Sequence, residues 1–365
     1  MSDLGLYIHV PFCGKKCPYC DFYSVEYRKK TAEKYVSAVL RNIRHYSDKS
    51  RIVDTVYFGG GTPSLLTAGQ VSDILDTAAD SFSLNQNAEI TLEANPSGLT
   101  PDRLSALRKS GINRLSIGVQ SMNDDELKLL GRNHTAEKAE KAVISAYDAG
   151  FRDISCDIMI ALPEQNKEKL LYSAERLAKL PINHISAYIL KAEDGTPFGC
   201  EEFRKRLPDD DAAAALYLEM IKIFEECGFM QYEISNFAKP GFESRHNCRY
   251  WKCLDYIGIG PSAHSCFNGK RFAVDRDISE FIDSSVQKIT VTDENPCGFE
   301  ETAMLALRLK SGLDLSLAGS RRTDIEKKIP TLIQAGYAKY DGCFLSLTPK
   351  GFLMSNSIIG YIIFE

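Results

Sequence analysis

The sequence predicts an α/β fold: a partial (β/α)6 barrel followed by a smaller C-terminal domain. Three observations carry this expectation. Six short strand-like runs alternate with helical segments. The helices between them carry start and stop signals. After about residue 296 the texture changes to helices and a hairpin.

The strands are read at residues 4–10, 53–60, 89–96, 114–121, 154–162 and 184–190. Most hold near-continuous apolar stretches, as strands buried on both faces do. Segment 31–47 spaces Val36, Val39, Leu40 and Ile43 on one helical face. Thr67 and Gln70 form a capping box before Val71, Ile74 and Leu75. Thr100-Pro101 opens a helix that Gly111 closes, and Thr135 opens another that ends at Gly150. Six β-α units in succession imply a parallel sheet with right-handed crossovers. Six are too few for an eight-stranded barrel, so the sheet is expected to stay open. Its chemistry belongs at the carboxyl ends of the strands.

A long helix is expected at about 209–227. It leads into "QYEISNFAKPGFESRHNCRYWKCLDYIGIGPSAHS", which reads as too irregular for a helix and too apolar for a linker. "EETAMLALRLKSGL" and "RRTDIEKKIPTLIQAGY" look helical, and Asp341-Gly342 marks a hairpin turn. The expected organisation is a barrel at 1–195, a connecting helix and irregular covering region at 196–295, and a small winged-helix-like domain at 296–365.

The 365 residues are 44% hydrophobic, which allows a sizeable core. Lys+Arg total 44 against 49 Asp+Glu, a net charge of -5. That balance argues against broad phosphate binding and against a winged helix reading duplex DNA, although "GSRRTDIEKK" is locally basic. No secretory signal and no run of the roughly 20 apolar residues that span a membrane is seen. A cytoplasmic protein is expected, peripheral to the membrane at most. Its eleven cysteines are then free thiols or metal ligands.

"HVPFCGKKCPYCDFYS" sets Cys13, Cys17 and Cys20 in a C-x-x-x-C-x-x-C array just after the first strand. Three thiolates at this spacing can hold three irons of a cubane cluster and leave the fourth iron open. A zinc site and incidental thiols are the alternatives. Gly59, Gly60 and Gly61 end the second strand, where they let backbone approach a ligand or simply make a tight turn. Glu93, Gln120 and Asp157 are polar residues in otherwise buried strands, and Arg132 follows the fourth strand. Such groups are costly without partners. Recurring at one end of consecutive strands, they point to a shared ligand. Structural hydrogen bonds and a surface ion pair are the competing readings.

C-x-x-x-C-x-Y-C on the first βα loop resembles the signature of the radical S-adenosylmethionine (SAM) superfamily. The resemblance implies a [4Fe–4S] cluster on Cys13, Cys17 and Cys20, with SAM as the fourth ligand, cleaved by an electron from the cluster. It also implies a SAM site made of Tyr7, Phe22, Gly59, Gly60, Gly61, Thr62, Glu93, Gln120, Arg132 and Asp157. The glycine run would take the amino group, Glu93 or Asp157 the ribose hydroxyls, and Arg132 a carboxylate. Tyr7 and His9 would flank the cluster; Tyr19 and Phe22 would shield it.

"YIHVPFCGKKCPYCDF", "VYFGGGTPS", "EANP", "SIGVQS", "LGRNH" and "GTPF" together resemble the oxygen-independent coproporphyrinogen III oxidase group over nearly the full chain. That group has a dehydrogenase branch and a haem-chaperone branch. In the dehydrogenase a long extension precedes the cysteines; here twelve residues precede Cys13. The dehydrogenase has a further cysteine where Phe22 stands. "HNCRYW" matches the H-N-x-x-Y-W motif of the chaperone branch. The expectation is therefore a haem chaperone that delivers haem to respiratory haemoproteins, with porphyrinogen decarboxylation as the alternative.

The resemblance assigns haem to His246, Asn247, Tyr250 and Trp251. His246 offers an axial nitrogen, and Tyr250 and Trp251 offer flat apolar area. Arg245 and Arg249 could pair with propionates. A buried aromatic cluster around a hydrogen-bonded histidine is the bland alternative. Cys248 is a rival axial ligand, and Cys248, Cys253 and Cys266 are a loosely spaced second metal set. His264 has no assigned role beyond a structural one. A homodimer is left open, and no nucleic acid is expected.

Overall fold

The computed structural model describes residues 3–364. The expected outer limits at Met1 and Glu365 lie outside the described residues. Among those described, twelve strands form one sheet. They are β1 (Leu4–Val10), β2 (Ile52–Gly60), β3 (Ser83–Ala94), β4 (Arg114–Gln120), β5 (Asp153–Ile160) and β6 (His184–Ile189). Then come β7 (Met230–Gln231), β8 (Asn236–Ala238), β9 (Tyr256–Ile259), β10 (His264–Phe267), β11 (Lys270–Val274) and β12 (Ile289–Asp293). The spatial order is β12-β11-β10-β9-β1-β2-β3-β4-β5-β6-β8-β7.

Strands β1 to β6 are parallel and pair in chain order. A seventh parallel strand, β9, pairs with the free edge of β1. Antiparallel strands extend the sheet at both ends. The helices cap as their sequences require. Thr67 and Gln70 make both capping-box hydrogen bonds at the start of Ala68–Ser81. Thr100 caps Pro101–Lys109, Thr135 caps Ala136–Asp148, and Asp209 caps Asp210–Glu226.

The strands are largely buried on both faces, as expected, and residue type alternates between the faces. Leu6, Ile8, Phe58, Leu92, Leu115, Ile117, Ile154 and Ile158 belong to the core. The residues between them are polar or small: Gly5, Tyr7 and His9 on β1, Thr55, Tyr57 and Gly59 on β2, Ser116 on β4, Asp157 on β5. Pairing brings these into rows, such as Tyr7 beside Tyr57 and Glu93 beside Ser116. An open barrel has a lumen, and the second face of each strand lines it.

The segment expected to be irregular is ordered. It contributes the helix Arg245–Trp251 and strands β9 to β12. Its glycines and polar residues serve close sheet packing. A Cβ on Gly5 would meet Arg249 at 2.8 Å, and one on Gly258 would meet the His264 carbonyl at 2.2 Å.

The C-terminal part has its own core, from Ala303 to Ile362. Helices Phe299–Ala306 and Arg322–Gln334 pack there with a three-stranded antiparallel sheet and two final helices. Asp341 and Gly342 turn its hairpin, with Gly342 at φ 97. No helix among the described residues is long and apolar enough to cross a membrane.

At the amino ends of the barrel strands lies a buried ionic group. Arg114 is almost fully enclosed, 3.4 Å from Asp153, and Glu89 is buried nearby. Removing one partner of such a group leaves uncompensated charge. Arg114→Ala is expected to cost about 3–5 kcal/mol in urea unfolding. A loss under 1 kcal/mol would show that the charges are solvated.

Candidate functional site

The cysteine loop leaves the carboxyl end of β1. Cys13, Cys17 and Cys20 are free and half-buried. Thr62 donates its hydroxyl to the Cys13 sulfur over 3.7 Å. Arg132 donates to the Cys17 sulfur over 3.4 Å and to the Gly118 carbonyl over 2.8 Å. Gly118 leaves room for a neighbour, because a Cβ there would meet the Gln120 side chain at 2.9 Å. The Arg132 Nε is buried without a partner. Thr62 and Arg132 also line a cavity of about 190 Å³ beside Cys17.

A larger cavity, about 510 Å³, opens at the same rim. Its lining includes the more buried Tyr7, Tyr57, Glu93, Asn247 and Tyr250 and, toward solvent, Asp21, Phe22, Tyr188, His264 and Arg276. Phe22 is 66% exposed. Of the expected SAM residues, Tyr7, Phe22 and Glu93 meet in this cavity, while Thr62 and Arg132 lie in the smaller one. Asp157 joins Glu93 from β5, and Ser116 donates to it over 3.0 Å. Gln120 ends β4 at φ 70, a left-handed conformation that glutamine rarely adopts.

The glycine run ties neighbouring strand ends together. Gly60 N–H donates to the Glu93 carboxylate over 3.2 Å, and Gly61 N–H to the Val10 carbonyl over 2.9 Å. These donors are used within the chain. What the run provides is closeness: a Cβ on Gly60, at φ +107, would lie 2.7 Å from the His9 ring. Glu93 also accepts from Tyr57 over 2.9 Å. Burial first, then the Asp157 carboxylate, push Glu93 up to about 7. Asp157 is raised as well, chiefly by burial. Two buried carboxylates that repel one another favour a cationic ligand. SAM carries both an ammonium and a sulfonium.

The expected haem residues form the floor. Helix Arg245–Trp251 packs against β2, with its first amides, Arg245 N–H and His246 N–H, donating to Glu89 over 2.9 and 3.0 Å. His246 is 0% exposed. Its Nδ1 pairs with the Thr55 hydroxyl and its Nε2 with the Tyr250 hydroxyl, each over 2.8 Å. Burial drives its pKa down to about 3, so the ring is neutral. Both ring nitrogens of His246 are engaged within the chain. Trp251 lies against Arg308 of the C-terminal part and is not among the residues lining the cavity. Arg245 and Arg249 pair with Asp54, at 3.7 and 3.0 Å, and neither lines the cavity.

Several cavity residues were given no ligand role by sequence reading, and two of them stand out. His264 is exposed at the mouth, and among the described residues nothing hydrogen-bonds its ring. Arg276 faces the same mouth and donates to the Asp21 carbonyl over 3.2 Å. One signal was present. The loop after a parallel strand lies at the ligand rim, and Tyr256–Ile259 is such a strand.

A barrel of this form with a three-cysteine first loop defines a radical SAM protein. The radical SAM superfamily model matches residues 7–177. Heme chaperone HemW of Lactococcus lactis is 33% identical over 363 residues, covering 96% of this chain and 95% of that one. Heme chaperone HemW of Escherichia coli is 40% identical over 268 residues, covering 72% and 70%. The solved coproporphyrinogen III oxidase HemN from Escherichia coli, a radical SAM enzyme, shares the fold, with a TM-score of 0.82 and 24% identity. That match covers 98% of this chain and 89% of the other. The chain belongs to the HemW family within the radical SAM superfamily. That superfamily carries a [4Fe–4S] cluster and SAM. The residues fit both: three free thiols with polar donors beside them, and Glu93 facing a cavity with Asp157 close behind it.

Glu93 gives the site a pH dependence. Its folded value of about 7 exceeds the ordinary 4.5. The stability it contributes is full below the lower value and is lost as pH rises through about 7. Urea unfolding of ligand-free protein at pH 5 and pH 8 checks this. Wild type is expected to lose more stability over that interval than Glu93→Gln. Equal losses would mean that Glu93 titrates as an ordinary carboxylate.

Proposed function

We propose that this chain is a haem chaperone that binds haem in the 510 Å³ cavity and passes it to respiratory haemoproteins. One observation carries the reading. An unengaged imidazole, His264, and a guanidinium, Arg276, share the mouth of a cavity whose depth is lined by Tyr7, Tyr57 and Tyr250. A macrocycle with two propionates needs those three things: a nitrogen for iron, a cation for carboxylates, and flat apolar surface.

Cys13, Cys17 and Cys20 would hold the [4Fe–4S] cluster; with SAM bound, it supplies one-electron reducing chemistry. Glu93 and Asp157 would hold the cationic end of SAM, and Arg132 its carboxylate. His264 would supply the axial nitrogen to haem. His246 acts through Tyr250. Its Nε2 pairs with the Tyr250 hydroxyl and sets the ring that faces the cavity. The HNCRYW helix would support the haem surface through Tyr250, and His264 at the mouth would supply the iron ligand. Phe22, exposed at the mouth, would cover the bound macrocycle.

The test is a paired anaerobic assay on reconstituted protein. Haem is titrated by absorbance, and carbon dioxide from coproporphyrinogen III is measured on the same preparation. About one haem per chain without decarboxylation is expected. Decarboxylation with SAM consumption would make the chain an enzyme instead. His264→Ala is expected to shift the haem spectrum and weaken binding by about tenfold or more. His246→Ala is expected to lower stability and leave the band position unchanged. The reverse pattern would return the axial role to His246.

A further inference from the structure

Away from the barrel mouth, a second set of thiols converges. Cys253 follows the HNCRYW helix, Cys266 lies on β10, and Cys297 precedes helix Phe299–Ala306. Glu301 stands in the first turn of that helix. The sulfurs of Cys253 and Cys297 and a Glu301 carboxylate oxygen lie within 4.8 Å of one another. The Cys266 sulfur is 3.7 Å from that of Cys297 and lies just outside that group of three, so it would have to swing inward to become a fourth ligand. From these contacts we propose that Cys253, Cys266, Cys297 and Glu301 bind a single zinc ion.

The geometry separates this reading from a disulfide. Bonded sulfurs sit about 2.05 Å apart. Zinc–sulfur bonds of about 2.3 Å in a tetrahedron set sulfurs about 3.8 Å apart. The 3.7 Å separation of Cys266 and Cys297 matches the second figure. A disulfide would also leave the third thiol unused, whereas three thiolates and a carboxylate complete a closed four-ligand zinc set.

Without a cation the thiols stay protonated: burial and neighbouring sulfurs push Cys266 and Cys297 up, and the Cys297 thiol donates to the Cys253 carbonyl over 3.7 Å. Thr302 Oγ1 lies 4.0 Å from the Cys253 sulfur. The Glu301 carboxylate is oriented from both sides, by Cys297 N–H over 2.6 Å and by Arg271 over 2.7 Å. Arg271 would offset the extra negative charge of three thiolates and a carboxylate around one divalent ion. The ligands come from three separate segments, so the ion would cross-link them. It would join the end of the floor helix and the extended sheet to the first helix of the C-terminal part. Cys248, one of the three cysteines grouped by sequence spacing, stands apart; Cys297 and Glu301 take its place.

The experiment measures metal per chain in full-length protein purified anaerobically without chelators. Wild type is expected to carry about one zinc besides its cluster iron. Cys253→Ser/Cys297→Ser is expected to lower zinc by about tenfold or more, with iron unchanged. Cys13→Ser/Cys17→Ser/Cys20→Ser is expected to lose iron and keep zinc. If the double variant does not fold, the triple variant is stripped and titrated with Co²⁺. Thiolate-to-cobalt charge transfer with tetrahedral visible bands, abolished by Zn²⁺, supports the site. Wild type without zinc, zinc unchanged in the double variant, iron in place of zinc, or a Cys266–Cys297 disulfide found by mass would each overturn it.

Discussion

One carboxylate carries much of the architecture. Glu89, buried on β3, receives the first two amides of helix Arg245–Trp251. Those amides have no partner within their own helix, and a negative charge at that end is the favoured one. The interaction fixes where the chain re-enters the barrel. Strand β9 begins a few residues later and pairs with β1, which closes the free edge of the parallel sheet. The loop after β9 then arrives at the same rim as the cysteine loop after β1. A cavity made by the first and the last strands of the parallel sheet depends on that anchor.

The lumen is polar, and its charge states follow from enclosure. His246 and His184 are neutral because burial disfavours their cations, and each spends both nitrogens on hydroxyls. Glu93 and Asp157 are held toward their protonated forms by burial and proximity. Histidines of this kind form a fixed hydrogen-bonded floor. The carboxylates respond to whatever charge enters. Floor and wall therefore divide the work: one sets shape, the other sets which ligand charge is accepted.

The barrel was legible because its signals are local. Capping residues such as Thr67, Thr100 and Thr135 mark helices within a few positions, and the cysteine array is contiguous. The lumen face was legible too, in the alternation of "RLSIGVQ", yet the apolar residues dominate the eye and suggest two apolar faces. What the sequence hid was long-range. His246 reads as a free ligand until Thr55, distant in the chain, occupies its Nδ1. Tyr256–Ile259 reads as part of an irregular stretch because its partner is β1 at the far end of the chain. Four residues have too little periodicity to announce a strand, and only the partner's register makes them one.

That pairing has a consequence for synthesis. Ribosomes release β1 first and β9 long after β2 to β6 have found their neighbours. Through that interval Leu4–Val10 is paired on one side only, by β2. It is a seven-residue apolar strand with no proline and no charge, the kind of edge that recruits other chains. Pairing so distant in sequence is also slow, because loop closure must precede its reward. The nascent barrel thus holds its three cysteines on an open-edged, unfloored scaffold until the returning helix and strand complete it.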